Sequence, residues 1–89
     1  MKHELTLYTK DDCPYCDIMK KKLNEWGYAY KTKNVQEDDS ARAFIVLDQG
    51  LRTVPQLFYG PVHINPNIDT ENYTLQILED YIGHLDDIK

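Results

Sequence analysis

Glu4-Leu5-Thr6-Leu7-Tyr8-Thr9-Lys10-Asp11-Asp12-Cys13-Pro14-Tyr15-Cys16 carries a strand, a polar turn and the start of a helix in succession. Residues 4–9 alternate with a β-branched and aromatic bias, the pattern of a half-buried strand. Lys10-Asp11-Asp12 forms a short polar loop. Pro14 suits the first turn of a helix, where a missing N–H costs nothing. Cys16, Met19, Leu23 and Trp26 then follow helical spacing as a buried stripe, and Gly27 supplies a typical helix end.

Outward from this segment, Tyr28-Ala29-Tyr30-Lys31-Thr32-Lys33-Asn34-Val35 alternates again and predicts a second strand. Asp39 or Ser40 is expected to cap a second helix, with Ala43, Phe44, Val46 and Leu47 apolar and its end near Gly50. Gln56-Leu57-Phe58-Tyr59 and Val62-His63-Ile64 flank Gly60-Pro61 and predict a hairpin. The last helix is expected from about Asn72 to Leu85, with Leu75, Leu78, Ile82 and Leu85 facing inward. The order β-α-β-α-β-β-α lets the first helix cross between parallel strands while the hairpin adds an antiparallel pair. This α/β arrangement, a four-stranded mixed sheet flanked by helices, resembles the thioredoxin-like fold.

The 89 residues are expected to form one domain, 1–89, acting as a monomer. With 42% apolar and 28% charged residues the composition is that of a globular chain. No run approaches the ~20 apolar residues of a membrane span. Met1-Lys2-His3-Glu4 leads straight into a strand with no apolar signal segment, so the cytoplasm is the expected location. The net charge is −5, with acidic clusters at Glu37-Asp38-Asp39 and Asp86-Asp87 and a short basic run at Lys20-Lys21-Lys22. Without a continuous basic face the chain is a poor nucleic-acid binder.

The two cysteines are separated by two residues. A bridge between them closes almost no loop and adds little entropic stability, so the spacing suits chemistry better than scaffolding. A thiolate attacks a disulfide, and Cys13 sits where unsatisfied N–H groups and the helix dipole favour negative charge. Lys10 adds a cation three residues upstream, while Asp11 and Asp12 oppose it. The balance places the Cys13 pKa below its free value of roughly 8.5. Cys16 faces inward and lacks that field, so Cys13 is the expected attacking thiol and Cys16 the resolving one. A zinc site needs two further ligands, and His3, His63 and His84 are scattered without metal-ligand spacing. No metal is expected.

The segment Tyr8 to Cys16, with its Cys13-Pro14-Tyr15-Cys16, resembles the active site of dithiol glutaredoxins. Arg52-Thr53-Val54-Pro55-Gln56-Leu57-Phe58 resembles that family's T-V-P-Q-x-F segment. The resemblance implies a glutathione-dependent oxidoreductase that reduces protein disulfides and protein–glutathione mixed disulfides, with glutathione as reducing co-substrate. Ribonucleotide reductase is among the substrates it implies. It further implies a cis Pro55 that sets its loop against the cysteines, and a Val54 backbone that pairs with the cysteinyl unit of glutathione. Lys10 would meet a carboxylate, with Arg52 a second candidate, and Tyr15 would pack beside the glutathionyl sulfur. Thr53 belongs to the same binding segment.

The family's G-G-x-D segment is replaced here by His63-Ile64-Asn65-Pro66-Asn67-Ile68-Asp69-Thr70. Asp69 or Asn67 is left to take the place of the usual acid at the γ-glutamyl end. Two alternatives follow. One is a glutaredoxin-like redoxin recycled by thioredoxin reductase, favoured by the lost glycines and opposed by Pro14-Tyr15. The other is an iron–sulfur-binding glutaredoxin, opposed by Pro14 and by the second cysteine.

Overall fold

The computed structural model describes residues 2–64 and 70–87. β1 (Leu5–Thr9) runs centrally and is followed by α1 (Pro14–Glu25), which crosses to β2 (Tyr30–Asn34). A short α2 (Asp39–Ala43) continues into a π-helical turn, Phe44–Asp48. β3 (Gln56–Tyr59) and β4 (Val62–His63) form the hairpin around Gly60-Pro61. A 3₁₀ turn, Thr70–Asn72, then precedes α3 (Leu75–Asp87). The sheet has the order β2-β1-β3-β4, with β1 parallel to β2 and antiparallel to β3. The expected fold is observed.

Alternation along the central strands divides the interior into two cores, because successive side chains leave opposite faces. Leu5 and Leu7 of β1 and Leu57 and Tyr59 of β3 face Met19 and Leu23 of α1 and Leu78 and Ile82 of α3. Tyr8 and Phe58 face the other way, against Ala41 of α2 and Ile45 of the π turn. The predicted stripe of α1 holds, with Cys16, Met19 and Leu23 buried and Trp26 partly buried. Its end is a Schellman motif. Gly27, at φ 77°, donates to the Asn24 carbonyl at 3.1 Å, and Tyr28 N–H reaches back to Leu23 at 3.1 Å.

Several boundaries differ from the sequence reading. β2 loses Tyr28, whose N–H closes that motif, and Val35, whose N–H donates beyond the strand to the Thr9 carbonyl at 2.8 Å. The cap of α2 is Asp38, not Asp39 or Ser40, and its carboxylate accepts from Ala41 N–H at 3.0 Å. Phe44-Ile45-Val46-Leu47 does not extend the α-helix. In the wider π turn Ile45 is buried and Phe44 partly buried, whereas Val46 and Leu47 are exposed.

α3 begins three residues later than expected. Thr70, Glu71 and Tyr73 direct their carbonyls to the Lys22 ammonium at 2.6, 2.9 and 2.9 Å, so these groups hold α1 rather than open the helix. Tyr73 is buried, with its hydroxyl donating to the Ile64 carbonyl at 3.0 Å and its ring stacked on Trp26. The roles expected of Asp69 and Asn67, and the segment Asn65-Pro66-Asn67, lie outside the described residues.

Candidate active site

The chain turns from β1 into α1 through Asp12, whose φ of 52° lies in the left-handed region. Aspartate tolerates this conformation better than most residues, because its short side chain can bond locally. The loop is braced from the end of β2. Gln36 accepts from the Asp11 N–H at 2.9 Å, and the Asn34 side-chain amide donates to the Asp11 carboxylate at 2.9 Å. The Asp11 charge is thereby committed to Asn34.

Cys13 is the N-cap of α1, with extended backbone (φ −114°, ψ 98°). Its carbonyl accepts the first helical bond, from Asp17 N–H at 3.1 Å, and its Sγ accepts from Cys16 N–H at 3.2 Å. This is the geometry of a serine or aspartate cap, with sulfur in place of oxygen. A helix amide aimed at the sulfur stabilises the thiolate over the thiol, and the dipole of the twelve-residue helix adds to it. Cys13 is 5% exposed and Cys16 fully buried, and the two are joined as a disulfide with Cα atoms 5.2 Å apart. Tyr15, between them in the chain, is 54% exposed.

Sheet register sets what lies across from this loop. Tyr8 pairs with Gln56 in the antiparallel β1–β3 ladder. Residues 10–13 and the segment Thr53-Val54-Pro55 therefore lie at the same end of the two inner strands. The Val54–Pro55 peptide is cis. A cleft of about 210 Å³ opens here, lined by Lys10, Arg42, Arg52, Thr53 and Val54, with Val35, Ile45, Val46 and Leu51 giving it apolar surface. The Val54 backbone N–H and C=O have no hydrogen-bond partner among the described residues.

The structure thus gathers Lys10, Arg52, Thr53 and Val54 in one cleft. It adds Arg42, which sequence reasoning missed. Arg42 sits on α2 and ion-pairs with Asp39 at 2.6 Å, which looks in sequence like an ordinary helix-surface pair. Asn34 and Gln36 were also missed, since only the fold brings them to Asp11. Among the described residues no cluster of three or more metal-ligating side chains occurs.

Residues 5–64 match the family model described as Glutaredoxin. The chain belongs to the glutaredoxin family. It is an oxidoreductase of that family built on the Cys13–Cys16 pair. A glutaredoxin of Neisseria meningitidis serogroup A is 36% identical over 74 residues, covering 81% of this chain and 84% of that protein. The crystal structure of a buckwheat glutaredoxin–glutathione complex superposes with a TM-score of 0.64 at 26% identity, covering 94% of this chain and 74% of the other. The glutaredoxin-like NrdH-redoxin from Escherichia coli superposes with a TM-score of 0.60 at 28% identity, covering 67% and 78%. No helix among the described residues is long and apolar enough to cross a membrane.

Proposed function

We propose that this glutaredoxin is a glutathione-dependent thiol–disulfide oxidoreductase acting as a monomer in the cytoplasm on protein disulfides and protein–glutathione mixed disulfides. The observation that carries the reading is the cleft lined by Lys10, Arg42, Arg52 and Val54, in which the Val54 backbone has no hydrogen-bond partner among the described residues. Glutathione is an extended peptide with two carboxylates. Cations answer the carboxylates, and a free N–H and C=O answer the backbone as a short strand addition. Three basic side chains in one cleft of an acidic chain also focus an attractive field on an anionic ligand.

On a mixed disulfide, the Cys13 thiolate attacks the glutathionyl sulfur. The protein substrate leaves as a thiolate and takes a proton, and Cys13 holds glutathione as a disulfide. A second glutathione thiolate attacks that bond, releasing oxidised glutathione and restoring the Cys13 thiolate. On a protein disulfide, the Cys13 thiolate attacks one substrate sulfur, and the other leaves as a thiolate that takes a proton. Cys16 then gives up its proton, attacks Cys13 Sγ and displaces the first substrate sulfur as a thiolate. This yields the Cys13–Cys16 disulfide and a reduced substrate. Two glutathione molecules then supply the two electrons that reset the pair. Ribonucleotide reductase, which requires a dithiol donor, is a substrate of this second type. Glutaredoxin reduction potentials of about −200 to −230 mV let the cytosolic glutathione pool drive the reset.

The resemblance to NrdH-redoxin, described as having a thioredoxin-like activity profile, favours a second reading in which thioredoxin reductase recycles the pair. Steady-state turnover with glutathione plus glutathione reductase, compared with thioredoxin reductase, separates the two. Efficient recycling by glutathione supports the first reading. Recycling by thioredoxin reductase alone overturns it.

A further inference from the structure

The segment that presents Val54 is held by a chain of side chains reaching back into the hairpin. Gln56, buried at 8% exposure, donates from Nε2 to the Thr53 carbonyl at 2.9 Å and to Thr53 Oγ1 at 3.1 Å. Its Oε1 meets His63 Nε2 at 2.6 Å. The Thr53 carbonyl can only accept, so the nitrogen of the Gln56 amide must face it and the oxygen must face His63. His63 Nε2 therefore carries a hydrogen and donates. The imidazole is itself fixed, by the Phe58–His63 pairing of β3 and β4 and by stacking on the Phe58 ring at 4.9 Å. Phe58 belongs to the core beneath α2.

We propose that His63 is a positioning residue for the peptide-binding loop. By donating to Gln56 it locks the amide that pins both oxygens of Thr53, and so sets the angle at which the Val54 backbone meets an incoming thiol peptide. Without the donor, Gln56 is free to rotate, and Thr53 loses two bonds made through one group. The inference rests on the reading that Val54 pairs with a peptide, whichever reductase recycles the enzyme. It concerns binding of the extended backbone and not the reactivity of Cys13.

The test compares the reduced protein reacting with three disulfides. These are a dimer of Ala-Cys-Ala, glutathione disulfide, and 2,2′-dithiodipyridine, which has no peptide backbone. His63→Phe keeps the stacking ring and removes the donor. It is expected to raise KM about fivefold for the peptide disulfides at unchanged kcat, the effect of one hydrogen bond. Its rate with dithiodipyridine is expected to stay at the wild-type value. His63→Gln, which returns an N–H at the Nε2 position, restores KM. In a Gln56→Leu background, His63→Phe adds no further loss, because the two act in series. Equal slowing with all three probes, a wild-type KM for His63→Phe, or additive losses in the double variant would each overturn the proposal. Loss of glutathione preference with the Ala-Cys-Ala effect intact defeats the glutathione reading and supports the relay.

Discussion

The N–H of Cys16 points at the sulfur of Cys13 from 3.2 Å, an amide placed to stabilise a thiolate there once the disulfide is reduced. The two cysteines therefore differ in field although they share one helical turn. Cys13 receives an amide and the helix dipole at its cap. Cys16 lies in the first turn, fully buried, where loss of water disfavours its thiolate.

That asymmetry predicts separate titrations. In the reduced Cys16→Ser variant, the Cys13 thiol is expected to ionise well below the free value of roughly 8.5. In reduced Cys13→Ser, Cys16 is expected to ionise above it. Ultraviolet thiolate absorbance against pH measures both. A Cys16 thiol more acidic than Cys13 would refute the division of field.

The cleft predicts charge-dependent affinity. Lys10→Ala and Arg42→Ala are each expected to raise KM for glutathione by about two- to fivefold, the loss of one exposed charge-assisted contact. Both effects shrink as salt is added, since exposed charges are screened. Arg42 shares its charge with Asp39, so Asp39→Asn is expected to lower KM. Steady-state kinetics at two ionic strengths reads all three.

Lys22 predicts a stability effect far from the cysteines. Lys22→Met keeps the stem and removes three hydrogen bonds to the carbonyls of Thr70, Glu71 and Tyr73. The expected loss is about 1–3 kcal/mol. For a domain near this size each kcal/mol lowers Tm by about 4–8 °C. Thermal denaturation measures it, with Lys21→Met, whose ion pair to Glu25 is exposed, as the near-neutral comparison.

Acid is expected to loosen the contact between the N-terminal segment and α3. The Tyr59 hydroxyl donates to the Asp86 carboxylate and accepts from Lys2 N–H at 2.7 Å and His3 N–H at 3.1 Å. The hydrogen bond from Tyr59 holds the Asp86 pKa below its ordinary 3.8, outweighing burial, which raises it. A depressed folded-state pKa stabilises fully above 3.8 and is lost as pH falls from there through the folded value. Tyr59→Phe is expected to flatten the fall of Tm between about pH 5 and pH 2. An unchanged slope would remove Asp86 from the acid response.

The strand–turn–helix unit was legible because its signals are local. Alternation in residues 4–9, Pro14 at the helix start and Gly27 at its end act through their own backbone. The cysteine pair was legible for the same reason. Phe44-Ile45-Val46-Leu47 misled because an unbroken apolar run has no period to read, and packing on Tyr8 and Phe58 decides which members go inward. The start of α3 was hidden by Lys22, which takes the carbonyls from across the molecule. Four of the nine residues lining the cleft were readable as motif, Lys10 and Arg52-Thr53-Val54. Arg42 was not, because its place in the cleft follows from α2 packing over β1 rather than from any spacing.

The most direct test of this mechanism is a glutathione-coupled assay on a protein–glutathione mixed disulfide with wild type, Cys13→Ser and Cys16→Ser. Full loss is expected for Cys13→Ser and retained turnover for Cys16→Ser, since free glutathione can resolve the Cys13 intermediate. Equal activity in both variants, or loss in Cys16→Ser with activity kept in Cys13→Ser, would contradict it.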